Sequence, residues 1–190
     1  MGADARAATI AAPWGPIELA ATDRGLVALE VLAPRAAFDR RLAARLGGTV
    51  TRGRGTDDAA AVLDRAVTAV EAYLGGRPAA LDELPLDLVG RPEWDLAVFG
   101  GVRRVAYGQV TSYGRLARAI GRPGAARAVG GAVGRNPIGL AIPCHRVIAA
   151  DGSLGGYGGD WWGTREQLLE IKRQLLEREG VSLPARQSGG

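Results

Sequence analysis

The chain has 190 residues, 47% hydrophobic and 23% charged, with a net charge of +4 and a pI near 9.8. This composition is that of a globular protein of one large or two small domains, and neither a membrane span nor a signal peptide is visible, so we expect a cytoplasmic protein. One cysteine excludes an internal disulfide, and one cysteine with one histidine cannot build a nitrogen and sulfur zinc site, so we expect no metal and no cofactor.

The basic residues are almost all arginine, since Lys172 is the only lysine among the 24 basic residues. The planar guanidinium group binds phosphates through two hydrogen bonds at once. A compositional bias toward arginine gives the same count without any such role. Charge alone therefore leaves nucleic-acid binding open.

The first half of the chain predicts a small α/β scaffold. Alternating apolar residues between turn signals predict strands over 9–12, 17–22 and 26–32. Helical periodicity predicts helices over 36–46 and 57–74. The segment 77–92 is rich in Pro, Leu and Asp and reads as an irregular connection. We expect one domain over 1–89, a second over 90–183, and a disordered tail over 184–190.

The second half begins with a predicted helix over 93–105, followed by two short helices over 113–120 and 125–135. Thr111 or Ser112 can cap the first of the pair, and the glycine-containing turn 121–124 separates them. This pattern is typical of a helix-turn-helix, although any pair of antiparallel helices shows it.

The second helix of this pair carries unusually small side chains on its outward face. Ala126, Val129 and Val133 are predicted to point inward, whereas the outward positions hold Arg127 and three glycines, Gly130, Gly131 and Gly134. Glycine costs about 1 kcal/mol relative to alanine inside a helix. Tight packing against another helix explains the glycines, and so does close approach to nucleic acid. Because base-reading side chains are absent, the second explanation favours the minor groove, with Arg127 as a wedge.

The only cysteine, Cys144, stands directly beside the only histidine, His145. A lone cysteine is often a small buried hydrophobe, and a lone histidine is often structural. Their adjacency favours a thiolate nucleophile, since an imidazole can take the thiol proton directly or through water. We expect the apolar run 138–142 to be a buried strand that delivers Cys144 to the surface, and the charge of Arg146 to favour the thiolate.

Two further elements follow the cysteine. The glycine-rich loop 155–159 permits close approach of a ligand or serves as a flexible connector. A last helix, capped by Thr164, is predicted to run to Gly180. Glu179 shares the inward face of Leu175, and a carboxylate in that position needs a partner.

The segment 143–147 (PCHRV), with 127–131 (RAVGG), 136–137 (NP) and 155–157 (GGY), resembles the O6-alkylguanine-DNA alkyltransferase family. The resemblance is dense from about residue 92 to residue 180 and looser before it, where 13–16 (PWGP) and 23–26 (DRGL) are similar to the family's first hairpin. It implies a ribonuclease-H-like α/β N-terminal domain and a mostly α-helical, winged-helix-like C-terminal domain that contains the helix-turn-helix.

The resemblance also implies the chemistry: irreversible transfer of the alkyl group from O6-alkylguanine, and from O4-alkylthymine, to Cys144. The base must be flipped out of the duplex first, because a thiol cannot reach it inside the stack. His145 would take the thiol proton through a water, and Glu179 would orient the imidazole. Asn136 would support this network, and Tyr113 would donate a proton to the departing guanine.

The implied partner is double-stranded DNA, bound in the minor groove by a monomer with little sequence preference. The implied DNA-contacting residues are Arg127, Tyr113, Ala126, Gly130, Gly131 and Arg135. The implied base pocket consists of Pro143, Val147, Tyr157 and Gly158, with the carbonyl groups of Cys144 and Val147 as acceptors.

One departure from the family pattern leaves two alignments open. An insertion over 160–164 lengthens the approach to a family-like run from Lys172 to Gly180, which places Glu179 beside the histidine. A second register instead puts Lys172 where that glutamate should be. Trp161 and Trp162 in the insertion can narrow the pocket mouth, stack on a base or simply pack.

Three other functions compete with alkyl transfer. A protein that binds alkylated bases without chemistry would not need Cys144. A cysteine hydrolase would need direct contact between thiol and imidazole, which adjacent residues rarely achieve. A sequence-specific repressor would need base-reading side chains on its second helix.

Overall fold

The computed structural model describes residues 2–53, 55–158 and 162–182. The strands β1 (Ala5–Ala12), β2 (Gly15–Thr22), β3 (Gly25–Val31) and β4 (Val50–Arg52) form one sheet in the order β3-β2-β1-β4. The first three pair as antiparallel neighbours, and β4 runs parallel to β1. The three predicted strands are confirmed, but β1 starts at Ala5 instead of Thr9. The strand β4 was not predicted, because three residues carry too little alternation to be recognised.

Two helices cover the two faces of this sheet. Helix α1 (Arg35–Leu46) places Phe38 and Leu42 against a face made of small strand residues. Helix α2 (Asp58–Leu74) packs its apolar side on the opposite face and is capped by Asp57, which accepts from the Ala60 N–H at 2.8 Å. Neighbouring strand residues point to opposite faces, so the sheet serves two apolar layers at once. A short 3₁₀ turn (Pro78–Leu81) follows α2.

The second half is mostly helical, with α3 (Glu93–Arg103), α4 (Tyr113–Ala119), α5 (Ala126–Gly134) and α6 (Arg165–Arg178). Helix α3 packs against both α4 and α5. The Ser112 hydroxyl caps α4 by accepting from the Arg115 N–H at 3.2 Å. The helix-turn-helix and the predicted two-part fold class are confirmed.

A short parallel ladder aligns the start of α4 with the cysteine. Strand β5 (Thr111–Ser112) pairs with β6 (Val147–Ile148). The first strand leads directly into Tyr113, and the second follows the 3₁₀ turn Cys144–Arg146. This ladder therefore holds the two reactive segments at one end of the helical half.

The segment 138–142 is not the buried strand that its apolar run predicted. Ile138 forms an isolated bridge to Leu29, after which the chain turns back, so that the Ile142 N–H donates to the Ile138 carbonyl at 2.9 Å. Leu140 occupies the left-handed region with φ 63°. An apolar run shows burial, but it cannot distinguish a buried strand from a buried turn.

Asn136 closes this turn with its side chain. Its Nδ2 donates to the Ile142 carbonyl at 2.8 Å, and its Oδ1 accepts from the Ile138 N–H at 3.0 Å. These bonds satisfy buried backbone groups that a strand would have paired with a neighbour. The turn 138–142 ends directly before Pro143, so Asn136 positions the following 3₁₀ turn Cys144–Arg146, which we call the cysteine turn.

Helix α6 begins with the predicted cap. The Thr164 hydroxyl accepts from the Gln167 N–H at 3.2 Å, and the Gln167 side chain accepts from the Thr164 N–H at 2.8 Å. Glu179 lies at the C-terminal cap of the helix. The predictions made for Gly159, Trp161 and the tail 184–190 lie outside the described residues. Within the described ranges, no helix is long and apolar enough to cross a membrane.

Candidate active site

Cys144 lines a cavity of about 280 Å³ between the two halves of the chain, and only 4% of the surface of Cys144 is exposed to solvent. It therefore lies below the surface, whereas the sequence had placed it at the surface. Burial raises the pKa of the thiol, against the opposing effects of the Asn136 side chain and of the Lys172 charge. At neutral pH the resting thiol is protonated, and a base has to produce the thiolate.

The neighbouring His145 is fully buried and points away from solvent. Its Nε2 lies 2.7 Å from Oε1 of Glu179. Burial lowers the pKa of the imidazole, so the ring is neutral at pH 7. Facing a carboxylate, Nε2 must carry the proton, an assignment that follows from the hydrogen-bond network. The Nδ1 atom is buried without a hydrogen-bond partner among the described residues, so its lone pair is open to accept a proton.

The Glu179 carboxylate accepts hydrogen bonds from four residues, which come from three places in the chain. Besides His145, the Tyr73 hydroxyl donates at 2.9 Å and the Gly108 N–H at 3.1 Å. Arg146 donates through Nε at 2.8 Å and through Nη2 at 3.0 Å. Although burial raises its pKa, the hydrogen bonds from His145 and Arg146 bring the pKa of Glu179 down to about 2. The side chain facing the imidazole is thus an anion at every physiological pH.

Lys172 lies elsewhere, so the second alignment register does not describe this structure. Its ammonium is buried and donates to the carbonyls of Val147 at 2.6 Å, Leu154 at 2.6 Å and Gly156 at 2.9 Å. Burial lowers the pKa of Lys172 to about 8, which leaves it protonated at pH 7. A protonated amine has three donors, one for each carbonyl. Lys172 thereby ties the glycine-rich loop to the cysteine turn.

The positive charge of Arg146 was predicted to favour the Cys144 thiolate, but this side chain is directed elsewhere. Its guanidinium binds Glu179, donates to the Val105 carbonyl at 2.7 Å and lies 5.7 Å from the centre of the Tyr107 ring. The cation that opposes the raised pKa of Cys144 is Lys172. The prediction failed because closeness along the chain does not determine the direction of a side chain inside a tight turn.

Tyr113 is half-buried at the start of α4, between α5 and the glycine-rich loop. A Cβ atom placed on Gly155 would lie 3.2 Å from its hydroxyl, and one on Gly130 would lie 3.8 Å from its ring. Gly155 also has φ +70°, which favours glycine. Burial raises the pKa of Tyr113, partly offset by a hydrogen bond with the Gly156 backbone. Its hydroxyl is therefore a proton donor at neutral pH.

The predicted pocket residues divide into two groups. Tyr157 and Gly158 line the same cavity as Cys144. Pro143 and Val147 are buried on either side of the cysteine turn, and the Val147 carbonyl already accepts from Lys172. Among the described residues, no three His, Cys, Asp or Glu side chains converge as metal ligands would.

The outward face of α5 is bare, as its sequence predicted. Arg127 is exposed and its side chain forms neither an ion pair nor a hydrogen bond with any residue that the structure describes, and Ala126 is half-buried beside it. A Cβ atom on Gly134 would meet no neighbour, and one on Gly131 would meet only the Arg135 side chain at 3.4 Å. Tight packing against another helix therefore does not explain these two glycines.

Arg135, at the end of α5, forms an ion pair with Asp95 through bonds of 2.6 and 3.0 Å. This pair joins the second helix of the helix-turn-helix to α3. Arg135 also lines the cavity that contains Cys144.

Trp162 belongs to the insertion and packs on the N-terminal half. Its Nε1 donates to Glu30 at 2.7 Å, and the Arg41 guanidinium, which pairs with the same carboxylate, lies 4.9 Å from the centre of the indole ring. Of the roles considered for the tryptophans, packing and narrowing of the cavity describe Trp162. Neither Trp162 nor Tyr73 carried a sequence signal for its partner, because those partners lie far away along the chain.

Comparison with known proteins places both halves in one family. Residues 6–88 match the family model described as "6-O-methylguanine DNA methyltransferase, ribonuclease-like domain", and residues 93–181 match "6-O-methylguanine DNA methyltransferase, DNA binding domain". A methylated-DNA–protein-cysteine methyltransferase of Mycobacterium bovis is 44% identical over 120 residues, which are 63% of this chain and 67% of that protein. The enzyme of the same name from Shigella flexneri is 42% identical over 58% of this chain and 60% of its own.

Solved structures give the same result. The crystal structure of Mycobacterium tuberculosis OGT in complex with DNA is 35% identical, covers 96% of both chains and superposes with a TM-score of 0.70. The O6-methylguanine-DNA methyltransferase of Pyrococcus kodakaraensis, at 24% identity and a TM-score of 0.66, shares the fold. With matching sequence over both halves and a matching fold, this chain belongs to the 6-O-methylguanine DNA methyltransferase family.

Proposed function

We propose that this protein repairs DNA by moving the alkyl group of O6-alkylguanine, and of O4-alkylthymine, onto its own Cys144. The observation that carries the proposal is a buried thiol next to a neutral imidazole whose Nε2 is held by an ionised carboxylate and whose Nδ1 is open. The sequence and fold likeness to methylated-DNA–protein-cysteine methyltransferases supports it. We assign this chemistry to residues 90–183, with 1–89 as a scaffold, in a monomer that acts in the cytoplasm.

The proton of the thiol has one route in this arrangement. It passes to Nδ1 of His145 through a water, because no described residue lies within hydrogen-bond reach of Nδ1, while Nε2 keeps its hydrogen bond to Glu179. The carboxylate stabilises the imidazolium that forms, and so offsets the low basicity that burial imposes on the ring. Glu179 touches neither thiol nor substrate, so it is a positioning residue rather than a catalytic one.

The thiolate then attacks the alkyl carbon in a single displacement. A carbon–sulfur bond forms and the carbon–O6 bond breaks, its electron pair staying with the guanine. The guanine takes a proton from the Tyr113 hydroxyl, which regains one from the imidazolium through solvent. The product is a thioether, which no group in the site can cleave, so each molecule reacts once.

Binding of DNA falls to α5. Its bare outward face, with Arg127 and exposed glycine backbone, suits the minor groove, where contact with the backbone does not depend on sequence. Extruding the damaged nucleotide costs a few kcal/mol of stacking, and a damaged pair opens more cheaply than an intact one. We assign Arg127 to the space that the extruded base leaves in the duplex.

The decisive test is the mass of the intact protein after incubation with a duplex that contains one O6-methylguanine. We expect the wild type to gain a single methyl group and then stop, and the Cys144→Ser variant to gain none while still binding the duplex. Tight binding by the wild type without any gain in mass would overturn the transfer and leave a protein that only recognises alkylated bases. Repeated release of a demethylated product would indicate a hydrolase.

Arg127→Ala should slow repair of duplex DNA about tenfold to a hundredfold, because the vacated space in the stack is no longer filled. Transfer from a single-stranded oligonucleotide should be unchanged, since no pair has to be opened. Single-turnover rates on both substrates measure this, and Arg65→Ala, on the exposed side of α2, is the matched control. Equal slowing on both substrates would exclude the wedge role.

A further inference from the structure

The cavity that contains Cys144 extends onto the N-terminal half and is lined there by several arginine side chains. Its lining includes four arginines but, among the described residues, one carboxylate, that of Glu30. The arginines come from three separate places: Arg41 and Arg45 from α1, Arg91 from the connection before α3, and Arg135 from the end of α5. We call these four side chains the arginine track.

Two members of the arginine track have carboxylate partners. Arg41 pairs with Glu30, and Arg135 pairs with Asp95 at 2.6 Å. Arg45 instead donates to the Val27 carbonyl at 2.7 Å. The guanidinium of Arg91 forms no ion pair or hydrogen bond with any described residue, although Arg91 is half-buried. Within the described part of the chain, the guanidinium groups of Arg45 and Arg91 therefore form no ion pair with a carboxylate.

Neighbouring guanidinium groups of the track repel one another: Arg91 repels Arg45, Arg41 and Arg135. Burial lowers the pKa of Arg45 to about 10; the charge of Arg91 adds to this effect, and the charges of Glu30 and Asp87 oppose it. Burial likewise lowers the pKa of Arg91; the charges of Asp95 and Glu30 oppose this effect, and those of Arg135 and Arg41 add to it. Like charges held together in a partly desolvated groove destabilise the protein unless an anion binds between them. A binding role explains why the cost is tolerated.

The arginine track is continuous with the helix that we assign to the minor groove. Arg135 lies at the C-terminal cap of α5, and the track leads from there past Arg91 to α1. A nucleic-acid strand offers a phosphate at every nucleotide, and so it can supply anions to guanidinium groups that come from three separate places in the chain. Guanidinium forks suit such phosphates, which fix the position of a protein on DNA without reading its sequence.

We propose that the arginine track binds successive backbone phosphates of the DNA strand beside the flipped nucleotide, so that the N-terminal half forms part of the DNA-binding surface. The inference rests on the proposed function and extends it, because that function needs only the helical half to touch DNA. It also assigns a role to Arg91 and Arg45, neither of which the sequence singled out.

Salt dependence of binding tests this, because each phosphate contact releases counterions. The affinity for a lesion-containing duplex is measured across a range of salt concentrations, with every protein carrying Cys144→Ser so that no transfer consumes the lesion. Arg91→Gln should lower the slope of log affinity against log salt by about 0.9, the value of one phosphate contact. Arg91→Lys keeps the charge and should keep the slope, and Arg65→Gln should bind like the parent.

An unchanged salt slope for Arg91→Gln would overturn the proposal that the arginine track binds phosphates. An equal loss of slope for Arg65→Gln would also overturn it, because the effect would then be one of net charge alone. Since the Arg91 side chain makes no hydrogen bond with the described part of the chain, its replacement should leave folding intact, and a melting curve checks this. The mass measurement on proteins that retain Cys144 reports on transfer alone. If proteins that retain Cys144 gain one methyl group and Arg91→Gln leaves the salt slope unchanged, phosphate binding by the arginine track is rejected and the proposed function stands.

Discussion

Glu179→Gln should slow methyl transfer about 10²-fold to 10⁴-fold, the range that a positioned base contributes. Glutamine has the same shape but no charge, so it cannot stabilise the imidazolium of His145, and its amide can turn an N–H toward Nε2 and reverse the tautomer. Single-turnover rates across pH measure the effect. A merely structural residue would lower the yield of folded protein without changing the pH profile.

The same substitution should alter acid stability. The pKa of Glu179 is about 2 in the folded protein against an ordinary value of 4.5. Its contribution to stability is therefore complete above pH 4.5 and is lost as the pH falls toward 2. Glu179→Gln should lack this acid-dependent loss, and it should be less stable at pH 7, because buried Arg146 loses its counterion.

Glu177→Gln is the matched control, since Glu177 is exposed two residues earlier in the chain. It should leave both the rate and the acid stability unchanged. If Glu179→Gln transfers the methyl group at the wild-type rate, the Glu179 carboxylate has no role in the transfer, even if the substitution alters stability.

Lys172→Met should lower the free energy of unfolding by about 3 kcal/mol and also reduce the transfer rate. One buried and two partly buried carbonyls lose their donor, at about 1–3 kcal/mol for a buried one and less for the others, offset in part because an ammonium no longer has to be desolvated. The loop that carries Tyr157 and Gly158 loses its tie to β6. The pKa of Cys144 should rise further, since Lys172 is the cation that opposes the effect of burial.

Denaturant unfolding and single-turnover rates measure the two effects of Lys172→Met separately. Arg173→Met is the matched control on the next residue, where the side chain faces partly outward, and it should change stability by less than about 0.5 kcal/mol. A Lys172→Met protein that was as stable and as reactive as the wild type would show that the three carbonyls need no donor.

Much of this protein could be predicted from short stretches of sequence. Cys144 beside His145 indicates the nucleophile, and the predicted caps, Thr111 or Ser112 for α4 and Thr164 for α6, mark the starts of two helices correctly. The bare face of α5 follows from the spacing of its glycines. These features depend on chemistry or backbone preferences within a few residues, and such information is local.

Tertiary packing decided the rest. The partners of Glu179 include Tyr73, and Trp162 crosses to Glu30, contacts that span 106 and 132 residues. Whether 138–142 is a strand or a turn depended on the amide of Asn136, and the direction of Arg146 depended on where α6 ends. The arginine track exists only because α1, the connection before α3 and α5 meet at one cavity. Contacts between distant segments leave no periodic trace in the sequence. The sequence by itself thus determined the reactive pair and the elements that carry it, whereas the folded chain decided which charges surround that pair.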